Sequence, residues 1–398
     1  MVKSKITGIK FGLLCLIGFM LTFYIFLTPL CIVLFLAFWL LEGDLSRKLT
    51  AWVKNKYALL FMALYLIYLI GMLYTVNTKH GWFDMQIKLS IILFPLILSS
   101  EGEMDFRKQK WFGFAFILGA VLHGLGCLIY ASYQYLSNGI TEFTYMHFSK
   151  FVHPTYYSMY IDMAFVFIYY ALMTKGNELT KNEKRFLYFS APFLLVILIL
   201  LESKMGLIVT ALLVPALLFN YFLRNHSIFK AVATVVAVIG LLLIGITKMS
   251  RFSAVGDLLS GKNRNVQSVE STQARYFVWQ AAWKVVKNKP VLGHGTGDTT
   301  ALMHQYIADS MTGAHAEKLN AHNQYLQTAI SVGIPGILIL LANLFIPLIL
   351  AIKKKRFVYT MFILILLLNF LTESMLDQQA GTMFYGLFNS LLMFNFVI

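Results

Sequence analysis

Charge is scarce in this sequence. Only 13% of its 398 residues are Asp, Glu, Lys or Arg, against about a quarter in a soluble domain. With 59% hydrophobic residues, that scarcity excludes a soluble globular chain. Cysteine is almost missing. Cys15, Cys31 and Cys127 each fall inside an apolar run, so neither a disulfide framework nor a thiolate metal site is implied. Acids are the rarer charge, 18 against 33 basic residues. The stretches 75–86 and 137–155 hold only Asp84 and Glu142, with no Asp-x-Asp to seat a divalent cation beside a phosphate. His294, His304, His315 and His322 lack an H-x-x-x-H spacing, so zinc is not indicated either. No metal or cofactor is expected.

What is present is apolar sequence in long runs, several near the roughly 20 residues needed to cross a bilayer. Spans are expected near residues 8–27, 29–44, 57–74, 87–100, 111–136, 156–173, 187–201, 205–223, 231–247, 324–351, 358–372 and 382–397. The charge of +15 then reports topology before it suggests nucleic acid. With the N-terminus inside, twenty Lys and Arg fall in cytoplasmic segments, whereas the short external ones hold only Lys79, Lys88, Lys150 and Lys204. The expectation is an all-α polytopic membrane protein of about twelve transmembrane helices, both ends cytoplasmic. It divides into residues 1–247 with nine spans, a large external loop 248–323 of 76 residues, and residues 324–398 with three more. Long loops escape the charge rule, so the loop's basic residues are free to be functional.

Within the loop, residues 273–289 read as an amphipathic helix: Tyr276, Trp279, Trp283 and Val286 recur at spacings of three and four, Lys284, Lys287 and Lys289 follow, and Pro290 ends it. Such a helix suits the bilayer surface, with Trp rings at headgroup level. Arg275 sits in its first turn after Ser271 or Thr272, where the helix dipole favours an anion. It reads as a phosphate clamp or as a solvated surface residue. Lys204, in Leu201-Glu202-Ser203-Lys204-Met205-Gly206, lies at the external membrane surface and either pairs with Glu202 or binds an anion. His322, in Asn320-Ala321-His322-Asn323-Gln324-Tyr325-Leu326, stands where the loop meets the bilayer; an imidazole there serves as a general base or is structural. Gly293-His294-Gly295-x-Gly297 has no preceding strand and reads as a turn. Gly333, Pro335 and Gly336 mark close packing and a kink. Asp162 and His123 are read as structural hydrogen-bonding groups, and Glu373, at the last external turn, as a solvated carboxylate.

Arg275-(x)3-Trp279, then Asn288-Lys289-Pro290-Val291-Leu292-Gly293-His294-Gly295, then His322-Asn323-Gln324-Tyr325-Leu326-(x)6-Gly333-(x)2-Gly336 resembles the signature region of the O-antigen ligase and polymerase superfamily. The resemblance implies a multi-pass enzyme of the inner membrane with its site on the periplasmic face. It would transfer a glycan from a polyprenyl diphosphate carrier to an acceptor sugar hydroxyl, lipid A-core in a ligase, inverting and without a metal. It implies that His322 activates the acceptor, that Arg275 and Lys204 hold the diphosphate, and that Asn323 and Tyr325 support the ring or the acceptor. Lys204 stands where the family's Ser-Arg-x-Gly block has Arg; it keeps the charge and loses the bidentate fork. The partners implied are the lipid-linked donor, the glycan acceptor and membrane lipids, not nucleic acid. A polymerase joining lipid-linked repeats is the nearest alternative. A transporter of lipid-linked glycan is one from another class, against which stands the gathering of polar residues on one face.

Overall fold

The computed structural model describes residues 2–224, 228–230, scattered positions from 232 to 240, 272–308 and 320–396. The expected span near 231–247 lies largely outside the described residues. So do the loop stretches 248–271 and 309–319, with Ser271 and His315. Among the described residues every regular element is a helix, the form in which apolar sequence satisfies its own backbone without water.

Among the described residues, six helices are long and apolar enough to cross a membrane: Lys5–Phe23, Lys56–Tyr74, Thr78–Leu98, Phe106–Asn138, Lys204–Tyr221 and Gln324–Lys353. A seventh follows if Ile25–Leu41 and Leu45–Lys54 count as one span. The expected twelve are not confirmed among the described residues: Pro154–Lys175 and Lys181–Leu200 have 22 and 20 residues without joining this set, and other expected spans are shorter. Thr28–Leu41 and Phe357–Phe370 have 14 residues each, about 21 Å at 1.5 Å per residue, short of a hydrocarbon core of roughly 30 Å.

Contacts divide the chain into two units. The first comprises Met1–Asp44 and Met104–Phe252. Here Val2–Phe23 lies close along Phe106–Asn138, where a Cβ at Gly119 would collide with the Phe19 carbonyl. Pro154–Lys175 is buried from residue 154 to 171, and within it Asp162 Oδ1 accepts from Thr210 Oγ1 at 2.5 Å. His123 Nδ1 is 3.0 Å from the Phe23 carbonyl. Lys204 opens the helix Lys204–Arg224, and Gly206 lets that helix approach Ser158 closely.

The second unit comprises Leu45–Glu103 and Ser253–Ile398. It gathers Lys56–Gly71, Thr78–Ile87, Ser90–Leu98, Gln324–Lys353, Phe357–Phe370 and Gln379–Phe394 with the two described loop helices, Thr272–Asn288 and Thr299–Ala308. At its centre Lys88 is fully buried. Its Nζ donates to Asp84 Oδ1 and Oδ2 at 2.6 and 2.7 Å and to Asp377 Oδ1 at 3.1 Å, over the Tyr68 ring. Burial pushes the Asp377 carboxyl up to about 6, with the Lys88 ammonium pulling the other way. Removing one partner of a buried ion pair strands the other and costs about 3–5 kcal/mol. Lys88→Met is therefore expected to lower the melting temperature of the purified protein sharply, while the exposed Lys79→Met leaves it within the scatter of surface substitutions; a dye-monitored melt of both separates them.

Candidate functional site

Three segments of the second unit converge where Gln324–Lys353 begins. The first is the helix Thr272–Asn288. Its buried face is formed by Val278, Ala281, Ala282 and Val285, which pack against Met303, Ile307, Ala321 and Ile330, while Tyr276 and Trp283 of the expected outward stripe are exposed. The helix therefore packs on protein and turns only part of its aromatic set outward. Arg275, one turn in from its start, keeps a side chain 22% exposed.

The second segment is Asn320–Asn323. His322 has φ +42°, a left-handed conformation that costs a side-chain-bearing residue free energy and must be held from outside. Its holders are all present. Asn320 Oδ1 accepts the His322 N–H at 2.9 Å, the Trp279 indole donates to the His322 carbonyl at 3.3 Å, and Gln327 Oε1 accepts the Ala321 N–H at 3.1 Å. Asn323 is the N-cap of the following helix, its Oδ1 accepting from Leu326 N at 3.0 Å, while its Nδ2 donates to the Leu371 carbonyl at 2.9 Å. Tyr325 donates to the Leu367 carbonyl at 3.3 Å. Both side chains are thus engaged in the architecture of the turn.

The third segment follows Phe357–Phe370 and carries Glu373. Expected as a solvated carboxylate, Glu373 is instead buried, its side chain 7% exposed, because both oxygens have partners from the other two segments. Arg275 Nη2 donates to Oε1 at 2.7 Å and His322 Nδ1 lies 3.3 Å from Oε2. Arg275 and His322 are therefore brought to one carboxylate. Lys204 belongs to the first unit. Glu373 is the residue that sequence reasoning set aside. The available signal was topological, since the last external turn falls on the same face as Arg275 and His322.

The glycine motifs form one device beneath the site. Gln324–Lys353 is broken at Gly333, with φ +65° and ψ −156°, a region only glycine occupies readily. The loop after Pro290 lies against the break: His294 N donates to the Ile330 carbonyl at 2.8 Å, Gly295 N to Ser331 at 2.9 Å, and Ile334 N to Pro290 at 3.0 Å. Tyr74 and Asp298 tie the same loop to the end of Lys56–Tyr74, through the Leu292 carbonyl at 2.6 Å and through Val76 N and Asn77 N at 2.8 and 2.7 Å.

A helical, multi-pass membrane protein with a cation, a carboxylate and an imidazole gathered at the start of a broken helix is the class that these observations define. Residues 189–341 match the Wzy_C family, described as O-antigen ligase, and the match supports assignment of the chain to the O-antigen ligase superfamily. It spans Lys204, Arg275 and His322 and stops short of Glu373. A Haemophilus influenzae protein described as uncharacterized is 25% identical over 225 residues, 51% of this chain and 55% of that one. The chain thus spans about half the length of the curated relative it matches.

The break at Gly333 generates a stability prediction. A Cβ there would collide with the Val291 carbonyl and strain the backbone besides, whereas one at Gly8 meets nothing within 4 Å. Gly333→Ala should therefore lose well over ~1 kcal/mol and Gly8→Ala almost none, as read by loss of monodisperse protein on heating.

Proposed function

We propose that this protein is a glycosyltransferase of the outer membrane leaflet side of the inner membrane, taking a glycan from a polyprenyl diphosphate and passing it to a sugar hydroxyl, with lipid A-core as acceptor. The observation that carries the reading is the meeting of Arg275 and His322 at one buried carboxylate, although 98 and 51 positions separate each from Glu373. A cation placed beside a base is what this reaction needs. Charge builds on the diphosphate as the anomeric carbon–oxygen bond breaks, and a fixed guanidinium stabilises it there. Lys204, opening its helix with the dipole behind it, is the second diphosphate group in this reading.

The acceptor hydroxyl attacks the anomeric carbon from the face opposite the leaving group, so the configuration inverts. Its proton passes to His322 Nε2 as the new carbon–oxygen bond forms, and polyprenyl diphosphate departs as the anion. Arg and Lys take the part a divalent ion plays elsewhere, so no step is assigned to a metal. Asn323 and Tyr325 support the base by fixing the turn that carries it. The exposed Tyr276 and Trp283 set the helix of Arg275 at headgroup depth.

His322→Ala should abolish transfer without changing expression or thermal stability; undiminished transfer would remove the base from the scheme. Arg275→Ala should cost at least the roughly 1.5–3 kcal/mol of one charge-assisted contact. Product size distinguishes ligation from polymerisation. Purified protein given only lipid-linked repeats should yield no product until lipid A-core is added, and a ladder without acceptor would make it a polymerase. Transfer should persist in excess chelator, and strict dependence on a divalent ion would contradict the scheme.

A further inference from the structure

The transfer scheme leaves Glu373 without a task, yet its placement is the most constrained in the site. Both oxygens are occupied, one by Arg275 Nη2 at 2.7 Å and one facing His322 Nδ1 at 3.3 Å. The turn that bears Glu373 is registered against the segment that bears His322 by two further bonds. Asn323 N donates to Ser374 Oγ at 3.3 Å, and Leu376 N to Gln324 Oε1 at 2.7 Å. One residue beyond Leu376, Asp377 is fixed by Lys88. The carboxylate is thus held relative to the imidazole from both sides.

We propose that Glu373 is a positioning residue that accepts the Nδ1–H of His322 and so fixes the ring in the tautomer whose Nε2 is bare and facing the acceptor, while Arg275 orients the carboxylate. The inference rests on the transferase reading for its functional consequence and on geometry for the rest. An ionised carboxylate only accepts hydrogen bonds, so the neutral imidazole must donate from Nδ1, and its one remaining nitrogen is then the proton acceptor. When the acceptor sugar's proton arrives on Nε2, the ring becomes an imidazolium beside an anion already in place. Glu373 stays ionised throughout and takes no proton.

The glutamine variant turns this into a sharp test. Arg275 only donates, so the amide of Glu373→Gln must offer it the carbonyl oxygen, which leaves the NH2 facing His322. Nδ1 must then accept, and the ring's proton moves to Nε2, closing the base. The experiment is solid-state 15N spectroscopy of histidine-labelled full-length protein in lipid at pH 8.5, about two units above the ordinary histidine value of ~6.5. His322 is assigned by the signals lost in His322→Gln. The wild type should show a protonated Nδ1, and Glu373→Gln a protonated Nε2. Transfer from a polyprenyl diphosphate donor should fall roughly 10²- to 10⁴-fold in that variant, as expected when a base is withdrawn. A wild-type ring protonated on Nε2, or the same tautomer in both proteins, overturns the proposal. Should the variant not survive purification, the wild-type spectrum decides alone. A tautomer exchange in protein that transfers nothing from any lipid-linked glycan would sink the transferase reading and leave the role of Glu373 standing; normal transfer with no exchange would do the reverse.

Discussion

A helix broken inside an apolar bundle frees backbone groups that no water can reach, and each must find a partner in the protein. At Gly333 the partners come from one loop. The carbonyls of Ile330 and Ser331 receive the N–H groups of His294 and Gly295, and the N–H of Ile334 reaches back to Pro290. The consequence extends beyond the break, because Pro290 follows directly on the helix Thr272–Asn288. Pairing the freed backbone pulls that helix onto the bundle, where Val278, Ala282 and Val285 meet Ala321 and Ile330. Arg275 is carried to the start of the broken helix by the same packing, which is where His322 already sits. The glycines of the turn Gly293-His294-Gly295-x-Gly297 are the means of that close approach: a Cβ on Gly293 would press on the backbone of Ser331 and Gly333.

The turn between Phe357–Phe370 and Gln379–Phe394 closes the arrangement from the other side. Four of its residues in five positions face different parts of the unit: Glu373 towards Arg275 and His322, Ser374 to the Asn323 N–H, Leu376 to Gln324, and Asp377 to Lys88. A turn with such connections has little freedom to shift. The polar cluster around Lys88 therefore acts at a distance on the site, since loosening Asp377 loosens the segment that holds Glu373. This couples the buried charges around Lys88 to the cluster of Arg275, Glu373 and His322 through one short turn.

Hydropathy made the all-helical membrane character legible, and the resemblance of the signature region, not spacing alone, made His322 and Arg275 legible as a pair of interest. The number of spans was less so. A run such as 358–372 is apolar enough for a bilayer but folds into a 14-residue helix, and hydropathy does not see where a helix stops. The helix Thr272–Asn288 keeps Tyr276 and Trp283 of the expected outward stripe exposed, but its inner face was not read from spacing. Large aromatics dominate a hydrophobic pattern and drew attention to the outer side, while Val278, Ala281, Ala282 and Val285 pack inside. Glu373 was hidden because burial of a lone acid is unfavourable unless partners come from elsewhere in the chain, and those partners lie 98 and 51 positions away. The loop-to-span junction at His322 was visible because it is a local event.

An ion pair between Arg275 and Glu373 would at first sight weaken a site meant for an anion, since the carboxylate cancels the charge of the guanidinium. The donor geometry argues otherwise. Arg presents five N–H groups in a rigid fork, and Glu373 engages it through Nη2. Nε is buried and has no hydrogen-bond partner among the described residues, a costly state for a charged donor. A phosphate oxygen arriving at that edge would satisfy Nε without displacing Glu373, so the carboxylate can aim the fork and a ligand can still complete it. An ammonium in the place of Arg275 could not be held in plane by Glu373 in this way.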